Sequence, residues 1–473
     1  MITRKISSIF LGLTLLLSAC TSNTEENVLA ETPPLGWNSF DSYGVYLHEE
    51  AAMANLEAFA EKLKPSGYEY FVIDAGWFGE FELREGTNYP AEKHARKMNF
   101  NENGLLQPSE TYFPNGLQPI IDRSHELELK FGLHLMRGIP REAVKQNVLI
   151  KGTQYRAADI ADTTSICSWN HQNYGVDMRK PGAQEFYNSL ISQLADWGVD
   201  FIKYDDLVPF PEEIKAIAKA IEQCGRPIVF SLSPGGSVDP DHIDAFKKAH
   251  MLRVTPDIWD EQEGIDQCFA AWRKWKGKEE AGFWIDMDMI PFGQLQLMNP
   301  KPEGLNGDES ISEIKKSIKS GELENFELLA GKGFKRWCHF TPDQMYTFIT
   351  MRALAGSPLM MGGDLPSLDD FSLGLITHPE VLACNQNGIM GNLIFDNGTI
   401  EVWKTPKNNG SKEGWIGLFN RNSEPVQTMF SEETLGIDPA AYKLNSIWDD
   451  TKVPGNQGVT IPANGVVFLK YRS

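Results

Sequence analysis

The sequence predicts an α/β protein: a (β/α)8 barrel of the TIM type followed by a C-terminal antiparallel β-sandwich. Three observations predict it. Short apolar runs ending in polar residues occur eight times; helix-patterned segments lie between them; and beyond about residue 380 the pattern changes to alternating strands with Asn-Gly turns. A doubly wound open sheet would also alternate strand and helix, but eight units favour a closed barrel.

The eight strand candidates are LGWNSF (35–40), YFVIDAG (70–76), KFGLHLM (130–136), VDFIKYD (199–205), PIVFSLS (227–233), HMLRVT (250–255), GFWIDMD (282–288) and SPLMMGG (357–363). Helical candidates include EEAAMANLEAFAEKLK (49–64), GAQEFYNSLISQLADWG (182–198) and PEEIKAIAKAIEQCG (211–225). The barrel is expected over residues 32–378, with an insertion at about 296–340 after the seventh strand, near the mouth. GNLIFDNGTIEVWKT, GWIGLFNRN and GVTIPANGVVFLKYRS supply the sandwich, over 379–473.

Residues 1–19 read as a secretory leader: Arg4 and Lys5, an apolar run from Ile9 to Leu17, then Leu-Ser-Ala-Cys. That ending resembles a bacterial lipobox, so Cys20 is the expected lipid-modified residue and 20–31 a polar tether. The mature chain is expected outside the cytoplasm, held to the cell envelope only through that lipid. A net charge of −20 disfavours nucleic acid as a partner. With 12 tryptophans, the chain has aromatics to spare beyond a core. Cys167, Cys224, Cys268, Cys338 and Cys384 fit no CxxC metal pattern and imply no disulfide framework.

In a barrel strand, residues two apart share a face. Phe201, Lys203 and Asp205 would therefore point into the lumen, with the last two at the C-terminal end, where this fold carries its chemistry. The other strands behave alike, delivering Asp74, His134, Arg253 with Asp257, and Asp286 with Asp288 to the same rim. Any one strand-end Asp is explained by helix capping. Five converging carboxylates need cations, a metal or a polar ligand. Two chemistries suit such a cup. Metal-assisted hydrolysis would use Asp74, His134, Asp205, Asp286 and Asp288 as ligands, although HxH and HExxH patterns are absent. Glycoside hydrolysis would use one ionised and one protonated carboxyl. Lys203 would keep Asp205 ionised, and the neighbours Pro256, Ile258 and Trp259 would give Asp257 an apolar setting.

PPLGWNSFDSYG, FVIDAGW, VDFIKYDD, RVTPDIWD, WIDMDMI and SPLMMGGDL, in this order, resemble glycoside hydrolase family 27, the α-galactosidases and α-N-acetylgalactosaminidases. The resemblance implies a retaining exo-α-glycosidase that works without metal or organic cofactor on a carbohydrate substrate, with Asp205 as nucleophile and Asp257 as acid/base. It implies Lys203 and Arg253 as donors to sugar hydroxyls, Asp288 as a further site residue supported by Asp286, and Trp37 and Phe40 as the aromatic block. Asp74 would anchor the sugar alone, because Ala75 stands where the family's galactosidases have a second aspartate. His134 replaces a usual tyrosine. Ser233, with Gly235 and Gly236, would widen the pocket near O2. Cys167 resembles a site cysteine whose usual partner position holds Leu207, so a free thiol is expected. Another pyranoside (an α-N-acetylgalactosaminide, a β-L-arabinopyranoside or an α-glucoside) is the alternative substrate, and a sugar-binding lipoprotein without catalysis the alternative function.

Overall fold

The computed structural model describes residues 28–233, 238, 240–301, 311–320, 329–454 and 458–473. The leader, Cys20, Gly235 and Gly236 lie outside the described residues.

Eight short strands run parallel around one ring: β1 Leu35–Asn38, β2 Tyr70–Ile73, β3 Lys130–Met136, β4 Phe201–Asp205, β5 Val229–Leu232, β6 Met251–Arg253, β7 Trp284–Asp286 and β8 Leu359–Met361. Each falls within one of the expected apolar runs. The ring closes through a parallel bridge from Ile290 to Met361: the Ile290 N–H donates to Met360 O at 2.8 Å, and Ile290 O accepts from the Gly362 N–H at 2.9 Å. Gly36 is needed on β1, because a Cβ there would lie 2.5 Å from Tyr70 O on β2.

Helices α1 Glu49–Lys62, α2 Gln118–Glu126, α3 Ala183–Trp197, α4 Pro211–Gln223, α5 Ile243–Phe246, α6 Gln262–Trp275, α7 Pro342–Leu354 and α8 Pro379–Asn385 lie on its outside. The sequence explains their ends and faces. α3 buries Phe186, Tyr187, Leu190, Ile191 and Leu194, one helical stripe, and stops at Gly198, whose φ of 98° suits glycine. α7 starts at a capping box, with Thr341 and Gln344 satisfying each other's backbone N–H groups. Outward-facing strand residues such as Ile202, Tyr204, Phe71 and Leu133 meet these helices in the main core.

The C-terminal strands are β9 Asn392–Asp396, β10 Ile400–Pro406, β11 Glu413–Asn420, β12 Val426–Met429, β13 Lys443–Ser446, β14 Thr451–Val453, β15 Gly458–Ile461 and β16 Val466–Arg472. They form an antiparallel sheet in the order β9-β10-β11-β16-β13-β14, with a separate β12–β15 pair. Alternation divides its faces: Ile400, Val402, Ile416 and Leu469 build a second core, while Trp403 and Phe419 turn to the barrel helix α6. There Trp403 stacks on Trp272 at 3.8 Å, and Phe419 meets Phe269 edge-on at 5.0 Å.

The two described ends of the 296–340 segment, 296–301 and 329–340, sit against the mouth. Gln296 and Leu297 bond the backbone of Asp41 and Ser42, Arg336 holds Asp260 with two bonds of 3.0 and 2.6 Å, and Ala330 lines the central cavity. No helix among the described residues is long and apolar enough to cross a membrane.

Candidate active site

On β4 the side chains alternate as the period of two requires. Phe201 joins Tyr70, Val72, Val229, Met251 and Met360 in an apolar plug low in the lumen. Lys203 comes next and Asp205 reaches the mouth, where both line a cavity of about 1000 Å³. Asp74, His134, Arg253, Asp257 and Asp288 line the same cavity. Seven side chains from five strand ends thus converge.

Two networks hold them. In the first, Lys203 Nζ donates to Asp74 Oδ2 at 2.8 Å, and Asn38 Nδ2 donates to the same oxygen at 2.7 Å. His134 Nε2 lies 2.9 Å from Asp205 Oδ2, and the other Asp205 oxygen has no protein hydrogen-bond partner. Burial pushes the Asp205 carboxyl up, but Lys203, His134 and Arg253 together hold it well below the usual carboxylate range. Asp74 is lowered in the same way, with Lys203 and His134 outweighing burial. Lys203 is raised in turn: burial disfavours its charge, but Asp74 and Asp205 restore it.

In the second network Arg253 is the hub. Its Nη1 donates to Asp288 Oδ1 at 3.0 Å and its Nη2 to Asp257 Oδ1 at 2.9 Å, while Asp288 Oδ2 accepts from the Ile258 N–H at 2.7 Å. Asp286 supports this from below, accepting from the Asp288 N–H at 2.9 Å. Asp288 has a φ of 78°, and Asp206, beside Asp205, a φ of 62°; left-handed backbone at non-glycine residues is costly and gathers at working sites.

Four expectations need correction. Asp257 is not in an apolar setting: its side chain is 65% exposed and paired with Arg253. Ile258 and Trp259 turn into the protein and leave the carboxylate on the rim. Trp37 does not face a ligand. It is fully buried, stacks on Phe71 at 4.8 Å and donates from Nε1 to Gly363 O at 2.8 Å. On β1 the lumen face belongs to Gly36 and Asn38, so Trp37 points at the helices. Ser233 lies not in the main cavity but on a void of about 20 Å³ beneath it, shared with Asn38, Lys203, Arg253 and Asp286 and large enough for one water. Cys167 is a buried free thiol that faces Asp206 and the backbone N–H groups of Trp169 and Asn170, outside the cavity lining. Phe40 does line the cavity, with Lys203 Nζ 5.9 Å from its ring centre.

Residues not singled out from the sequence also belong here. Asn38 shares the lumen face with Gly36, a signal present in the strand period. Asp41 lines the cavity, is buried against Gly362, and has its carboxyl pushed well above the usual range by burial and by Asp288. Arg137, directly after β3, bonds Asp206 and Glu213 at 2.9 Å each and stacks 3.5 Å over Phe210, fixing the turn that follows Asp205. Trp169 and His171 come from a loop with no periodic signal. Among the described residues no three His, Cys, Asp or Glu side chains are grouped to hold a metal ion.

Comparison with known proteins agrees with this geometry. A family model described as melibiase matches residues 25–223. An α-galactosidase A from Cellvibrio japonicus is 26% identical, with 96% of each chain covered, and an α-galactosidase from Cyamopsis tetragonoloba 25% identical over 90% of this chain and 81% of its own. The crystal structure of a β-L-arabinopyranosidase of glycoside hydrolase family 27 from Geobacillus stearothermophilus superposes with a TM-score of 0.80 at 36% identity, covering 94% of this chain and 97% of that one. With that identity sustained over nearly the whole of both chains, on a barrel whose strand ends converge on one carboxylate-lined cavity, the chain belongs to glycoside hydrolase family 27.

Proposed function

We propose that the chain is a retaining exo-glycosidase that removes a terminal sugar of α-D-galacto configuration by double displacement. One observation carries the reading: a buried carboxylate enclosed by Lys203, His134 and Arg253 shares a cavity with a second, exposed carboxylate. Asp205, held in its ionised form by the cations around it, attacks the anomeric carbon. The bond to the leaving oxygen breaks as Asp257 passes it a proton, giving a glycosyl-enzyme ester. Asp257, now a base, takes a proton from an incoming water whose oxygen displaces Asp205, so the configuration is retained. Lys203 and Arg253 present donors to the ring hydroxyls, and Asp74 an acceptor.

A second reading concerns the sugar. β-L-Arabinopyranose has the galacto ring without its hydroxymethyl group, and beside Asp74 this chain has Ala75, which offers no bond to O6. The relative from Geobacillus, described as a β-L-arabinopyranosidase, is also more similar than the α-galactosidases named above. A panel of nitrophenyl glycosides (α-galactoside, α-N-acetylgalactosaminide, β-L-arabinopyranoside, α-glucoside) is expected to show the arabinopyranoside cleaved at least as well as the galactoside. Ala75→Asp should then move the ratio toward galactoside by about tenfold or more, the worth of a charged hydrogen bond of ~1.5–3 kcal/mol. An unchanged ratio would remove Ala75 from the account. Binding without turnover of any glycoside would leave the non-catalytic alternative.

The leader supports the further proposal that the enzyme works outside the cytoplasm on a lipid anchor. Cys20→Ser is expected to move it from the membrane to the soluble fraction, and continued membrane retention would refute the anchor.

A further inference from the structure

The cavity is larger than its charged cup requires. At about 1000 Å³ it stands at the top of the range for sites that enclose a drug-sized ligand, ~300–1,000 Å³, and one sugar ring of about a dozen heavy atoms does not fill it. Its wall has two parts. The inner part holds the carboxylates and cations described above. The outer part comes from the loop after β2, with Phe78, Phe81 and His94, and from the loop after β3, with Trp169, Asn170 and His171. None of these six carries charge in the two networks.

Trp169 stands out among them. Its side chain lines the cavity and yet the residue is 55% exposed, in a chain whose largest buried side chains are mostly tryptophan. An indole left open at the mouth of a polar cup keeps apolar surface in water that a stacked partner would cover. Its backbone is not loose. The Cys167 thiol faces the N–H groups of Trp169 and Asn170 on one side and Asp206 on the other. Asp206 is held by Arg137 and follows Asp205 directly. Asn173, at the far foot of the loop, donates to the carbonyls of Met136 and Arg137 at 3.2 and 3.0 Å. The indole is therefore tied through short contacts to the strand end that bears Asp205.

We infer that Trp169 is the platform of an aglycone subsite, on which the sugar ring attached to the cleaved bond stacks while His94, Asn170 and His171 face its hydroxyls. The substrate class is then a glycan whose terminal sugar is linked to another sugar, not to a small alcohol. This rests on the proposed glycosidase activity and deepens it.

The test compares substrates with and without a ring in that position. Wild type, Trp169→Ala and Trp169→Phe are assayed on the glycosyl fluoride of the preferred sugar, which has no aglycone ring, and on a disaccharide carrying the same terminal sugar. Trp169→Ala is expected to lower kcat/KM about tenfold on the disaccharide and less than twofold on the fluoride, and Trp169→Phe to keep most of the disaccharide rate. Equal losses on both substrates, or no loss on either, would overturn the subsite and leave the glycosidase reading intact. Calorimetric titration of the Asp205→Asn protein does not depend on turnover. The disaccharide should bind more tightly than the monosaccharide, and Trp169→Ala should erase the difference; equal affinities before that substitution would also overturn the proposal. Failure of the wild type on every substrate would instead sink the activity.

Discussion

The same strands build both halves of the barrel lumen, and the halves have opposite chemistry. Low in the barrel Tyr70, Val72, Phe201, Val229 and Met251 pack as an apolar plug. One step of two residues higher, Asp74, Lys203 and Arg253 follow Val72, Phe201 and Met251 on the same face. Below, burial is favourable in itself. Above, every buried charge needs a partner, and Lys203, Arg253 and His134 supply them. The plug fixes the strand ends, and the charged layer uses the fixed positions; the pair of functions is separable because a period-two strand puts them in different residues.

Two substitutions on β4 would show that separation. Asp205→Asn removes the attacking group without changing shape. It is expected to lower kcat on the order of 10⁴-fold or more while the melting temperature stays within a few degrees. Phe201→Ala, four residues earlier, should do the reverse. Phe201 is 2% exposed and packs on Tyr70 at 5.4 Å, so truncation should cost about 3–5 kcal/mol of stability. The folded fraction, read by active-site titration at low temperature, should keep kcat within about tenfold, because Lys203 and Asp205 have their own bonds to Asp74 and His134. Comparable catalytic loss in both variants would mean that the two layers are one unit.

The strand period made most of this legible in the sequence. All eight strands and the convergence of Asp74, His134, Lys203, Asp205, Arg253, Asp257 and Asp288 follow from alternation and motif order, and the free Cys167 from the resemblance that puts Leu207 at its partner's place. Expectation and structure part where motif or neighbours, not that period, carry the assignment. The resemblance implies a ligand contact for Trp37, yet its parity puts it beside Phe71 on the helix side. The neighbours of Asp257 suggest an apolar setting, but in an extended or turning segment adjacent side chains diverge, and Ile258 is buried while Asp257 is exposed. Arg137 lies just beyond β3 and Trp169 on the long loop that follows it, where position depends on tertiary contacts such as Arg137 with Glu213, 76 residues away. No local pattern encodes those.

Asp286 sits on the boundary between the two layers and gives the smallest expected effect. It lines the void under the cup, and burial, helped by Asp288, pushes its carboxyl up to about 6 against the pull of Arg352 and Arg253. An unfolded aspartate titrates near 3.9, so between about pH 4 and 6 the folded chain binds more protons than the unfolded one at this site. Stability from this residue is therefore fully present below pH 4 and is lost as pH rises through 6. The shift corresponds to at most about 3 kcal/mol. Asp286→Asn keeps an oxygen to accept from the Asp288 N–H and removes the titration. Thermal melts of both proteins at pH 4 and pH 8 should show the variant gaining on wild type by about 2–3 kcal/mol between the two values. A constant difference would mean that Asp286 stays ionised throughout, held by Arg253 and Arg352, and that the charged layer reaches one residue deeper into the lumen than the comparison with the apolar plug implies.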